Sequence, residues 1–306
     1  MDLGCVITTR GNRAKFKKLL ELEPKIRVFG SFVRPHGDSH EDISFAMGHT
    51  IHEFTRDLCK ANLDVLMVVG DRWETFAAAT AAYNLQIPVA HLEGGEVSGS
   101  LDHGYRYAIT ALSKYHFVCT DKARERLRYK KWVWTVGSTS LDCFDVLENP
   151  RVTTGNFILA VFHPDTRSRV NTLSLGAVIE AVSRLAFEVV WVAPNVDAGS
   201  IEITKTLEGY GIYPYTGFPI EKYAWLLKNA EFIIGNSSSG IREASFFGTP
   251  NIVVGGRQDN RERGKNTFSG LRHIDDVLIH GKYGPDYTYG TGNASEKILE
   301  CLKRVI

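Results

Sequence analysis

Residues 231–250 read Glu-Phe-Ile-Ile-Gly-Asn-Ser-Ser-Ser-Gly-Ile-Arg-Glu-Ala-Ser-Phe-Phe-Gly-Thr-Pro, and this order decides the fold. Phe232, Ile233 and Ile234 make a short apolar run suited to a buried strand, Gly235 and Asn236 allow a tight turn, and the spacing predicts a helix over 240–247. A strand that turns directly into a helix is the repeating unit of a parallel α/β sheet. At the turn, Ser237, Ser238 and Ser239 add hydroxyls to the unpaired N–H groups of a helical first turn, a combination that suits a phosphate or pyrophosphate. A serine-capped helix start with no ligand gives the same pattern, so the stretch alone leaves both readings open. It matches neither the Walker loop nor G-x-G-x-x-G.

The same rhythm runs outward in both directions. Apolar runs at 5–9, 27–33, 65–69, 89–91, 117–120 and 132–136 alternate with helical spacing at 14–22, 45–61, 75–84, 105–114 and 122–129. Beyond a polar stretch at 147–156, read as the interdomain connection, strands at 157–162, 189–193, 213–216 and 252–254 alternate with helices at 173–185, 201–208 and 223–227. The expectation is an α/β protein of two doubly wound, Rossmann-like domains, 1–150 and 151–306, facing a central cleft. The last helix, 294–305, carries Ile298, Leu302 and Val305 on one face and is a candidate for packing back on the N-terminal domain.

Composition excludes several classes. The net charge of +1 gives no electrostatic reason for nucleic acid or a membrane surface as partner, and no apolar run reaches the length of a span. Five scattered cysteines without a C-x-x-C pair argue against a disulfide framework or a zinc site. The N-terminus lacks a signal-peptide pattern, which fits a cytoplasmic protein.

In such sheets ligands bind outside the carboxyl ends of the strands, and chemistry-bearing residues cluster there. Asp71 and Arg72 follow the strand at 65–69; an aspartate at that place also serves as a plain helix cap. After His91 comes a glycine-rich loop bearing Glu93, Glu96 and Asp102, and carboxylates held together can acquire separated pKa values and divide acid and base roles. Arg106 lies one helical turn after Asp102, placed to pair with it or to reach a phosphate. A metal site ranks second, because no second nearby histidine completes a ligand set; no metal and no cofactor are expected. His163 ends the strand at 157–162, Pro194–Gly199 ends the next, and Arg257, Arg261 and Arg263 follow the strand at 252–254. A lone strand-end histidine and surface arginines are ordinarily structural; beside a serine turn they favour an anionic ligand.

These motifs, from Gly70-Asp71-Arg72 through His91-Leu-Glu93-Gly-Gly-Glu96, Asp102, Arg106, His163-Pro164, Pro194-Asn-Val-Asp-Ala-Gly199, Gly235-Asn-Ser-Ser-Ser-Gly-Ile-Arg-Glu243 and Phe247-Gly-Thr-Pro250 to Gly256-Arg-Gln258, resemble the UDP-N-acetylglucosamine 2-epimerase family in its hydrolysing branch. The resemblance implies the two-domain fold of GT-B glycosyltransferases and a reaction on a UDP-sugar. UDP is eliminated to a 2-acetamidoglucal, which is then hydrated to N-acetylmannosamine, a precursor of sialic acid. It also implies catalytic roles for Asp71, Glu93, Asp102, Arg106 and His163, and UDP-sugar contacts from Arg13, Asn195, Asp197, Gly235, Ser237, Ser238, Glu243 and Arg257. A homodimer or higher homo-oligomer is implied as well. The sequence departs from the family in a longer turn at 8–13, where Arg10 competes with Arg13, in a shorter segment between Arg13 and Asp71, and in Gly30-Ser-Phe-Val33 with His36 displaced. A related UDP-sugar substrate, a retaining sugar transferase on the same architecture and a non-catalytic nucleotide-sugar binder stay open as alternatives.

Overall fold

Val65-Leu-Met-Val-Val69 is buried at every one of its positions, the signature of a parallel strand covered on both faces. The computed structural model describes residues 1–165, 171–195 and 197–306, without the side chains of Asn171 and Thr172. These residues fall into two compact units. The first comprises Met1–Val97, Leu101–Cys143 and Gly290–Ile306; the second comprises Ser98–Ser100 and Phe144–Tyr289. The chain thus crosses between units after Cys143, ahead of the polar stretch at 147–156. Among the described residues no helix is long and apolar enough to cross a membrane.

In the first unit the chain runs β1 (Leu3–Val6), α1 (Arg10–Leu22), β2 (Arg27–Phe29), α2 (His40–Leu58), β3 (Val65–Val69), α3 (Trp73–Asn84), β4 (Val89–Leu92), α4 (Asp102–Leu112), β5 (Tyr115–Val118), α5 (Asp121–Arg126) and β6 (Trp132–Thr135). The strands form one sheet in the order β2-β1-β3-β4-β5-β6, with every pairing parallel. The second unit holds β7 (Phe157–Val161), α6 (Asn171–Ser183), β8 (Glu188–Val192), α7 (Ser200–Gly209), α8 (Ile220–Asn229), β9 (Ile233–Gly235), α9 (Glu243–Phe247), β10 (Asn251–Val253), β11 (Thr267–Ser269) and α10 (Ile274–His280). Its sheet is also wholly parallel, in the order β11-β10-β9-β7-β8.

Helices cover both faces of the first sheet. Phe16 and Leu19 of α1 pack on one face together with Ile298, Leu299 and Leu302 of α11 (Ala294–Val305), which belongs to this unit. Phe54, Leu58, the alanines of α3 and Ile109 of α4 cover the other face. The buried Asp142 fixes the start of α11, accepting from Ala294 N at 2.9 Å and Ser295 N at 2.7 Å. Burial pushes its carboxyl pKa up against these bonds. In the second unit α6, α7 and α10 pack around Ile158, Ala160, Phe232, Ile234 and Ile252.

Several expected elements differ, each for a local reason. The helix read over 240–247 is a 3-10 turn, Ser238–Gly240, followed by α9 of only five residues. The turn expected at 8–13 is already helix from Arg10, because Thr9 Oγ1 accepts from Asn12 N at 3.1 Å and caps it. α2 starts at His40, ahead of its apolar spacing, through a capping box between Ser39 and Asp42. The strand read at 27–33 pairs over Arg27–Phe29 alone, and 213–216 contributes one bridge, Tyr215 to Val192. β11 and α10 lacked a clear period and were not anticipated.

Gly235 ends β9 at φ +138°, and a Cβ there would meet Val161 O at 2.0 Å. Gly48 in the interior of α2 faces open space. Gly235→Ala is therefore expected to cost about 3 kcal/mol or more, and Gly48→Ala to add about 0.5–1 kcal/mol, both read by urea denaturation.

Candidate active site

In the first unit the loops after β3 and β4 carry the acids. Gly70, at φ +80°, releases the chain from β3 so that Asp71 stands at its end, one quarter exposed. Asp71 pairs with the fully buried Arg106 of α4, whose second nitrogen donates to Glu96 O at 3.0 Å. Glu93 directly follows β4 with its backbone at φ +66°, a left-handed conformation uncommon for a residue with a side chain. Its N–H donates to Phe117 O at 2.8 Å, and its carboxylate is 2% exposed. Lys15 Nζ lies 2.5 Å from Glu93 Oε2, and Ser138 Oγ donates to Oε1 at 3.3 Å. Glu96 is buried in the same loop, and Asp102 opens α4, partly exposed.

His91 points into the interior. Its Nε2 lies 2.8 Å from Gly70 O and its Nδ1 3.0 Å from Thr110 Oγ1, so it holds the β3 turn. Among the described residues no cluster of three or more His, Cys, Asp and Glu side chains is placed to hold a metal ion. Arg10 and Arg13 both lie exposed in the first turn of α1. Arg13 is close enough to the buried Cys5 to oppose the burial that pushes its thiol up to about 12.

In the second unit Asn236 ties the end of β7 to that of β9. Its Oδ1 accepts from His163 N at 2.6 Å, and its Nδ2 donates to His163 O at 2.7 Å. His163 Nδ1 accepts the Asn195 N–H at 3.1 Å, which leaves the proton of the neutral ring on Nε2. Asn195 is exposed, Val196 lies outside the described residues, and Asp197 stands 3.9 Å from Arg257. Beyond Gly235, Ser237 caps the 3-10 turn and accepts from Ser239 N at 3.3 Å; Ser238 begins that turn. Glu243 is buried in the first turn of α9. Arg257 Nη1 and Gln258 Nε2 both donate to Asn236 O, at 3.4 and 2.8 Å. Arg261 is buried, and Arg263 hydrogen-bonds to Ser269 and to Gln258 O, so none of the three arginines is a freely solvated side chain.

The structure thus sets the Asp71–Arg106 pair and the Glu93–Lys15 pair at the ends of the neighbouring strands β3 and β4, and His163, Asn195, Asp197, Gly235 and Arg257 around the ends of β7, β8 and β9. Lys15, Ser138 and the clamp role of Asn236 escaped the sequence reading. Lys15 lies two positions after Arg13 on a helix, and Ser138 follows the Gly137 turn after β6; strand-end position was the one signal available for the serine.

Two doubly wound parallel sheets, one in each unit, define an α/β protein of the GT-B-like fold class. The chain belongs to the UDP-N-acetylglucosamine 2-epimerase family, whose sequence model matches residues 12–303. It is 31% identical to the hydrolysing UDP-N,N'-diacetylbacillosamine 2-epimerase of Legionella pneumophila, over 87% of this chain and 78% of that one. To the UDP-N-acetylglucosamine 2-epimerase of Neisseria meningitidis serogroup B it is likewise 31% identical, over 97% and 94% of the two chains. The crystal structure of the Methanocaldococcus jannaschii UDP-N-acetylglucosamine 2-epimerase with UDP-N-acetylglucosamine and UDP matches with a TM-score of 0.80 at 20% identity, covering 99% of this chain and all of that one.

His91 and its register neighbour His116 are both fully buried, and burial lowers their pKa values to about 4 and about 3. A histidine held neutral in the fold takes up its proton only on unfolding. Its stabilising contribution is whole above about pH 6.5 and is lost as the pH falls towards 4. Each ring is expected to contribute a slope of about 1.4 kcal/mol per pH unit in that window. Urea denaturation from pH 7 to 4.5 should show the slope of His116→Leu shallower than wild type by about that amount.

Proposed function

We propose that the enzyme is a hydrolysing UDP-N-acetylglucosamine 2-epimerase that converts UDP-N-acetylglucosamine and water into N-acetylmannosamine and UDP. The observation that carries this reading is the buried Glu93 carboxylate, held by Lys15 and Ser138 on a left-handed backbone at the end of β4. A carboxylate fixed this firmly, with the Asp71–Arg106 pair on the neighbouring strand end, suits proton transfer at a carbon. The hydrolysing relative at 31% identity favours release of the free sugar.

In this reading Asp71 or Glu93 takes the C2 proton. The C–H electrons form the C1=C2 bond as the C1–O bond breaks, and UDP departs with the glycosidic oxygen. Water then adds its hydroxyl to C1 and a proton returns to C2 on the opposite face, with Asp102 handling the water. Neutral His163, with its proton on Nε2, and the hydroxyls of Ser237 and Ser238 donate to the diphosphate as it gains charge, with Arg13 and Arg257 supplying positive charge. Glu243 is assigned to the ribose hydroxyls, and Asn195 and Asp197 to the UDP-sugar beside His163. No cofactor takes part, and the enzyme works as a cytoplasmic homo-oligomer.

A second reading keeps the chemistry and changes the sugar. The Legionella relative is named for the UDP-N,N'-diacetylbacillosamine substrate, and the shared C2-acetamido ring offers the same acidic hydrogen.

NMR of the purified protein with each UDP-sugar in heavy water is expected to show UDP release without an acceptor and deuterium at C2 of the inverted free sugar. Retention of the original C2 hydrogen would rule out the elimination. Asp71→Asn and Glu93→Gln are each expected to lower kcat about a thousandfold or more while UDP affinity changes by no more than a few fold. Comparable losses in both quantities would remove these residues from the chemical step.

A further inference from the structure

We propose that Tyr223 is a positioning residue for the diphosphate turn: through Ser239 it directs the hydroxyl proton of Ser237 at a phosphate oxygen. The inference rests on reading that turn as the UDP site. Tyr223 projects from α8, and its hydroxyl lies 2.6 Å from Ser239 Oγ. Ser239 Oγ lies in turn 2.9 Å from Ser237 Oγ, which also accepts the Ser239 N–H at 3.3 Å.

Proton direction along this chain follows from acidity and from counting lone pairs. A phenol is a stronger acid than a serine hydroxyl and the better donor of the two. Burial, with the charge of Glu243 adding to it, raises the Tyr223 pKa against the opposing hydrogen bonds to Ser239, the 2.6 Å partner, and to Ser237, so the phenol keeps its proton at any working pH. Tyr223 therefore donates to Ser239 Oγ, and Ser239 turns its own proton towards Ser237 Oγ. Ser237 then accepts twice, from the hydroxyl and from the amide of Ser239, which fills both its lone pairs. Its remaining capacity is a single O–H, polarised by the two bonds behind it and directed away from the network. Such a group is matched to a ligand that accepts, as phosphate oxygens do.

Isothermal titration with UDP tests the chain as a unit, using wild type, Tyr223→Phe, Ser237→Ala and the double variant. Tyr223→Phe is expected to weaken UDP binding about 3- to 10-fold, and Ser237→Ala about 10-fold. Because the tyrosine acts through the serine, the double variant should bind no more weakly than Ser237→Ala alone. An unchanged Kd for Tyr223→Phe overturns the proposal, and so do multiplying losses in the double variant, which would mean that the tyrosine acts elsewhere. If Tyr223→Phe fails to fold, Ser239→Ala cuts the chain at its centre, and the same cycle with Ser237→Ala decides. Wild type that binds no UDP would instead defeat the reading of the turn itself, an outcome separable from failure of the tyrosine relay.

Discussion

A carboxylate withdrawn from water as fully as Glu93 stays ionised only beside compensating charge and donors, because an unpaired buried charge costs several kcal/mol. That constraint organises the first unit. β1, β3 and β4 are neighbours in one parallel sheet, so the helix leaving β1 passes the end of β4 and can deliver Lys15 to within 2.5 Å of Glu93. The turn leaving β6 brings Ser138, which also shares a 2.8 Å contact with Ser140. The left-handed backbone at Glu93 follows from the same demand, since the side chain must leave the strand direction to meet them. Asp71 and Arg106 form a parallel case, a carboxylate at one strand end held by a buried cation from the helix that follows the next.

The second unit meets its requirement mainly with neutral groups, with Arg257 the charged exception. Parallel strands end with carbonyl and N–H groups that have no further ladder partners, and Asn236 satisfies both at His163 with one amide while its own carbonyl receives Gln258 and Arg257. The result is a strand end at which the backbone groups of His163 and the amide and carbonyl of Asn236 are held by hydrogen bonds. The tautomer of His163 is one consequence, set by a backbone N–H from the end of β8.

Much of this was legible in the sequence because parallel α/β sheets write themselves plainly. Runs such as Val65–Val69 and Phe157–Phe162 are continuously apolar and bounded by glycine or polar residues, so both sheets and the strand-end positions of Asp71, Glu93, His163 and Ser237 could be read from pattern alone. Pairings across the sheet could not. Lys15 meets Glu93 across 78 positions and Asn236 meets His163 across 73, and nothing local marks such partners. Short elements were hidden for a different reason: β11 and α9 contain three and five residues, fewer than a period needs to declare itself. Caps set the helix starts, so α1 and α2 begin earlier than their apolar spacing suggests.

The shortness of α9 bears on how a diphosphate would be held. A long helix aims a sizeable fixed dipole at its ligand, whereas five residues supply little of it. What the turn offers instead is serine hydroxyls, amides and an imidazole N–H, all neutral, with Arg257 tempered by Asp197 at 3.9 Å. Neutral donors bind a charged product less tightly than a cluster of cations would, and their bonds gain most as the leaving oxygens acquire charge. In the proposed elimination that is the useful distribution, because interactions stronger in the transition state than in the ground state speed the reaction, whereas equal grip on both only delays release of UDP.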